Sequence, residues 1–226
     1  MSRRLLLSVV LVVCVPFASW AQALKEGAID RQPVRRAASP SRGQDTDASP
    51  FGIQIGMTMN ELTAISGTPS PEQTIGMYRL PKVPRPHASF ESYAVHYSDK
   101  YGVCRIIAIG KSVELNAFGD RLKQEFSTVS EQLQERYGSG ELMDILRSGS
   151  IWDDTQHWSM AMSREERILA RSWERPKNLN EFPSLSAILL RATAMNTRAG
   201  FLVLSFEGQN FRSCQNEEKT SQGSAF

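Results

Sequence analysis

Apolar positions recur along the chain with two different periods, and each change of period marks an element. In "IGMTMNELTAISGTP", residues 55–69, Met59, Leu62 and Ile65 fall on one helical face. Thr58 stands at the N-cap position and Glu61 follows three residues later, which predicts a capping box, while Met57 and Leu62 can close a hydrophobic staple. Gly67 and Pro69 predict the stop. Period two then takes over in residues 73–80, 90–98 and 102–110, read as strands. Within 90–98, Tyr93, Val95 and Tyr97 alternate with Ser92, Ala94 and His96, and residues 99–102 predict a hairpin turn into the β-branched run of 102–110. Pro81, Pro84 and Pro86 between the first two strands predict a stiff extended loop.

A helical period returns over 117–137, where Phe118, Leu122, Phe126, Val129, Leu133 and Tyr137 form one stripe suited to core packing. Asn116 is a candidate cap and Gly138 a stop. Beyond it, alternation at Trp158, Met160 and Met162 predicts a strand. Residues 163–175 carry two readings. Ser163 and Glu166 can cap a helix with Arg164, Arg167, Arg171 and Arg175 on one face, or 163–166 is a hairpin turn into a strand over 167–174; the alternation of Leu169, Arg171 and Trp173 favours the hairpin. Residues 185–195 and 201–207 predict a closing pair of strands. The order is helix, three strands, helix, about four strands: an α+β fold in which a short capped helix with an antiparallel meander precedes a longer helix with a second meander. We expect one globular domain over 51–211, divisible into tandem α-β-β-β halves at 51–115 and 116–211, and a polar tail over 212–226.

Composition changes the picture at the N-terminus. Arg3 and Arg4 precede an apolar run over 5–18, and Ala21-Gln22-Ala23 offers a small-x-small cleavage site, the pattern of a signal peptide cut after Ala23. Residues 24–50 contain three prolines and almost no large apolar side chains, which predicts a disordered linker. Arg3 and Arg4 are the only charges in the signal, so the 26 basic residues of the chain fall to 24, level with the 24 acidic ones. A balanced charge gives no electrostatic case for nucleic acid, and cleavage leaves no stable membrane anchor. Periplasmic or secreted localisation follows. Cys104 and Cys214 are the two cysteines beyond the signal, and an exported chain favours their pairing as a disulfide.

With these elements in place, residues 55–69 resemble the Gly-Met-Thr helix segment of the SmpA/OmlA (BamE-like) outer-membrane lipoprotein domains, through Gly56-Met57-Thr58, Leu62, Gly67 and Pro69. The resemblance implies a helix packed on a short antiparallel sheet and an assembly or interaction module rather than an enzyme. The tandem order also resembles the β-lactamase-inhibitory-protein arrangement, which implies binding of a partner across the sheet. This chain has no lipid-bearing cysteine in the matching place, so outer-membrane attachment does not carry over. Otherwise it has the look of an exported bacterial protein.

Few residues suggest chemistry. His87, His96 and His157 are too far apart for a zinc-binding helix, and nothing implies a metal or cofactor. Glu91 and His96 lie five apart on a strand and point to opposite faces. Asp153, Asp154 and His157, set between Trp152 and Trp158, are the candidate catalytic group: paired acids beside aromatics suit action on a glycan, or glycan binding. Tyr93, Tyr97, Trp158 and Trp173 are the candidate interface anchors. The expected function is an exported, non-enzymatic protein-interaction module whose partner is another envelope or extracellular protein. The alternative is a glycan-acting hydrolase or glycan-binding protein using residues 152–158.

Overall fold

The computed structural model describes residues 49–174 and 182–223. The expected signal peptide over 1–23 and all of the expected linker but its last two residues lie outside them, as does Arg175. Among the described residues the order is α1 (Met59–Ser66), β1 (Ser70–Pro71), β2 (Met77–Leu80), β3 (Phe90–Ser98), β4 (Gly102–Gly110), β5 (Val113–Glu114) and α2 (Asp120–Tyr137). There follow β6 (Glu141–Leu146), α3 (Trp158–Ser163), β7 (Arg167–Glu174), β8 (Leu185–Asn196), β9 (Ala199–Gly208) and α4 (Phe211–Gly223). The fold is α+β, with helices on one nine-stranded antiparallel sheet. Its strand order is β1-β2-β3-β4-β9-β8-β7-β6, and β5 pairs with β9. Two meanders therefore meet at the β4/β9 seam.

Directly paired residues of an antiparallel ladder share a face. On one face the register aligns Tyr78, Val95, Ile106, Phe206, Ile188 and Trp173 in a row. The next row runs Leu80, Tyr93, Ala108, Leu204 and Leu190. Apart from the partly buried Tyr78, all of these are buried in the core cluster. The α2 stripe of Leu122, Phe126, Val129, Leu133 and Tyr137 joins them, and α2 packs against β8 and β9. Burying one such side chain contributes about 1.5–3 kcal/mol.

The short helix α1 is capped as its sequence predicts: Thr58 Oγ1 accepts from the Glu61 amide, and the Thr58 amide donates to Glu61 Oε2 at 3.0 Å. Its fully buried Leu62 joins the core, and the Met59 amide donates to the Tyr97 hydroxyl of β3 at 3.3 Å. The helix is a structural clip onto the sheet. The strands at 90–98 and 102–110 form as predicted, and those at 185–195 and 201–207 form with slightly wider bounds.

Several local expectations are corrected, and one strand is added. The strand at 73–80 shortens to Met77–Leu80, because Gly76 adopts φ 73° and the Met77 amide donates to the Thr74 carbonyl, closing a turn. The long helix starts at Asp120, leaving Phe118 exposed; Asn116 still helps, accepting from the Asp120 amide at 3.2 Å. Residues 158–163 are helical, and their buried Trp158, Ala161 and Met162 pack where alternation suggested a strand. Residues 163–166 do turn into the strand over 167–174, with Glu165 at φ 58°, but the turn follows a helix rather than closing a hairpin. Strand β6 was not signalled, since its exposed Leu142 and Ile145 interrupt any alternation. Finally, the tail expected from 212 onward is the helix α4. The Cys104–Cys214 disulfide fastens it, with Cα atoms 6.6 Å apart, and Glu218 to His96 and Glu217 to Ser98 add contacts to β3.

Candidate functional site

The four aromatic residues singled out as anchors are placed by the core. Trp158 is 2% exposed, Trp173 3% and Tyr93 6%. Trp158 fills the space beside Gly119, where a Cβ would fall 1.9 Å from its ring, and Lys123 Nζ lies 4.7 Å above the indole. Burial in this packing, with Arg167 as a second cause, holds the Lys123 pKa below its ordinary value. Trp173 Nε1 donates to the Gly138 carbonyl at 2.6 Å and so ties the end of α2 to β7. The Tyr93 ring packs 4.9 Å from Phe51, and its hydroxyl accepts from the His87 amide. Tyr97 is half-buried against Tyr78. These aromatics hold the fold together, and the structure does not gather them into one exposed patch.

The carboxylate pair is set in a surface turn. Asp153 and Asp154 are exposed, and Asp154 caps the short turn at Thr155–His157, accepting from the Gln156 amide at 3.1 Å. That backbone hydrogen bond is the main cause holding the Asp154 carboxyl below its ordinary range. His157 stacks edge-on to Trp152 at 5.5 Å. The cap accounts for Asp154. Glu91 is exposed, whereas His96 is buried against Glu218, so the two do not meet.

Two features that the sequence reading did not single out offer binding surfaces. The first is the other face of the sheet. One row there runs Ala94, Ile107, Ser205, Leu189, Ser172 and Glu141. Its neighbour runs Ser92, Ile109, Val203, Arg191, Ala170 and Met143. Ile107, Ile109, Leu189, Val203 and Met143 are each partly exposed, and Arg191 rises exposed among them. Helix α4 packs on β3 and β4 at one end, where His96, Arg105 and Glu207 lie. Burial raises the Glu207 pKa above its ordinary value, against the pull of Arg105 at 3.6 Å. At the far end, Ile145 and Ile168 pair across β6 and β7 and are 53% and 41% exposed. The signal was present in β4 and β9, whose residues are apolar on both faces.

The second feature is a cleft of about 410 Å³ between α2 and the proline-rich loop. Phe51, Phe90, Leu133, Tyr137, Leu204 and Phe206 make its apolar floor. Arg85, His87, Gln132 and Arg136 stand at its polar rim. His87 Nε2 donates to Gln132 Oε1 at 3.0 Å and its Nδ1 accepts from the Ser89 amide, so the loop is fastened to α2. Burial raises the Tyr137 pKa above its ordinary value, while the Arg136 and Arg85 guanidiniums act in the opposite sense.

No family model, no curated protein and no solved structure matches this chain.

Proposed function

We propose that this protein is an exported, non-enzymatic interaction module that holds a partner protein of the envelope or extracellular space against the open face of its sheet. The observation that carries this reading is the apolar patch of Ile107, Ile109, Leu189 and Val203, continuous with the exposed Ile145–Ile168 pair at the β6 edge. Half-exposed aliphatic side chains on a rigid sheet lose little conformational entropy on docking, and a contiguous patch of this kind marks an interaction site. Arg191 within the patch supplies a charged contact, the residue type most often energetically dominant in interfaces together with Trp and Tyr. The Cys104–Cys214 disulfide agrees with an oxidising compartment, and among the described residues no helix is long and apolar enough to cross a membrane. The likeness of residues 55–69 to the SmpA/OmlA segment supports the same class of role.

The test is crosslinking pull-down of the tagged full chain from its own envelope. One stoichiometric partner should be recovered with wild type and with Asp154→Asn, and lost with Leu189→Glu and with Ile109→Glu, each verified as folded by circular dichroism. Recovery of the partner by both Glu variants would move the interface elsewhere. A second copy of this chain as the only product would replace the partner reading with self-association.

A further inference from the structure

The two edges of the sheet are finished differently. At one edge β1 spans only Ser70–Pro71, and a proline in so short a strand leaves little for another chain to pair with. The other edge is β6, which runs over Glu141–Leu146 without proline, glycine or lysine. Its register with β7 is unbroken from Glu141↔Ser172 to Leu146↔Arg167, with no bulge to turn the strand away. Among the described residues β7 is its only neighbour in the sheet. Leu142 and Ile145 are 51% and 53% exposed, and no residue of the strand is buried. An unbroken, apolar edge of this length is a template for a further strand.

The alternation of the backbone decides which groups this edge offers. The Arg147 amide donates to the Glu166 carbonyl at 2.7 Å, one step beyond the last ladder pair, so residue 147 faces β7. Bonded and non-bonded pairs alternate in an antiparallel ladder, so Glu141, Met143 and Ile145 face β7 as well. The N–H and C=O groups of Leu142, Asp144 and Leu146 therefore point outward. Helices α2 and α3 pack on β7, β8 and β9, one strand or more inside this edge.

The side chains decide what fits it. A two-fold axis perpendicular to the sheet joins like face to like face, so only residues an even number apart can stand opposite each other. Centred on Asp144, the antiparallel pairing of β6 with itself sets Leu142 opposite Leu146 of the second copy, and Met143 opposite Ile145. It also sets Glu141 opposite Arg147 at both ends of the seam, and both side chains are exposed in the single chain. The Asp144 carboxylates meet at the axis, each held by its own Arg167, whose Nε and Nη2 lie 2.8 Å from Oδ1. Sliding by two residues in either direction sets Asp144 opposite Leu142 or Leu146 and loses the Glu141–Arg147 pairs.

We propose that two copies of this chain pair antiparallel along β6, continuing the sheet across a two-fold axis at Asp144. Each outward-facing pair exchanges two backbone hydrogen bonds, and the apolar and charged side-chain pairs fix the register. The seam covers Ile145 and leaves Ile107, Ile109, Leu189 and Val203 open, so the pairing stands independently of docking on the open face.

Sedimentation velocity of the protein as exported, from micromolar to submillimolar concentration at physiological salt, tests this. Wild type should pass reversibly from monomer to dimer within that range. Arg147→Glu places a like-charged pair at each end of the seam and should raise the dimer Kd by about fivefold or more. The exchange Glu141→Arg/Arg147→Glu rebuilds both pairs and should return Kd to within about twofold of wild type. Leu142→Pro removes an outward N–H without removing a donor from the β6–β7 ladder, so it should abolish the dimer while thermal unfolding stays cooperative. A wild type that stays monomeric, an Arg147→Glu dimer as tight as wild type, an exchange that fails to restore Kd, or a dimer that survives Leu142→Pro would each overturn the proposal.

Discussion

Removing the Cys104–Cys214 disulfide offers the most quantitative check on how this fold is held. The two cysteines are 110 residues apart in sequence, and both are fully buried. In the chain-entropy account, closing a loop of that length withdraws about 4.8 kcal/mol of freedom from the unfolded chain at 25 °C. Against a total stability of roughly 5–15 kcal/mol, that is a major share. The perturbation is the double variant Cys104→Ala/Cys214→Ala, compared with wild type that has been reduced. The reduced protein keeps both sulfurs and so separates the crosslink from the packing. Urea unfolding followed by tryptophan fluorescence is suitable, because Trp152, Trp158 and Trp173 all lie inside the closed loop. With a urea slope of about 2–3 kcal/mol/M, the midpoint should fall by about 1.6–2.4 M in both reduced and double-variant protein. The helix α4 should lose protection first, since without the disulfide it rests on the contacts of Glu217 and Glu218 and on Phe211 against His96. A midpoint shift below about 0.5 M at unchanged slope would refute the reasoning. It would mean that the crosslink restrains the unfolded chain far less than its length requires.

Further outcomes follow from named contacts. Gly119→Ala should destabilise by about 2–5 kcal/mol, because φ 69° strains an L residue and the new Cβ meets the buried Trp158 ring at 1.9 Å. Gly149→Ala, at φ 80° with open space around it, should cost only the strain of about 1–2 kcal/mol; equal losses in thermal unfolding would refute the clash. Burial raises the folded pKa of Glu207 above its ordinary value of 4.5, so in the pH window just above that value the folded state holds more protons than the unfolded one. Its contribution to stability is therefore greatest below pH 4.5 and declines as pH rises through the window above it. Glu207→Gln should gain on wild type in melting temperature between pH 4 and pH 7, and a pH-independent difference would contradict this. The envelope pull-down tests the open face of the sheet.

The sequence alone determined the elements whose signals are local. The capping box of Thr58 and Glu61 is written within four residues, and the α2 stripe within one period, so both were legible before any tertiary contact was known. The strands over 90–98 and 102–110 were equally plain. Pairing of Cys104 with Cys214 followed from the count and the expected compartment. Tertiary structure decided the rest. Alternation at Trp158, Met160 and Met162 looked like a strand, yet Trp158 had to enter the space beside Gly119, and a helix delivers it there. The helix α4 was hidden because its polar residues show no stripe and its anchors, His96, Ser98 and Cys104, lie more than 100 residues away. The same distance effect governed the sites. Periodicity assigns a residue to a face, but only the register of nine strands decides which face the helices cover. That choice buried Tyr93 and Trp173 and left Ile107 and Leu189 half-exposed. The cleft, too, exists only where Phe51, the proline-rich loop, α2 and β9 converge, and no local pattern encodes a convergence of segments so far apart in the chain.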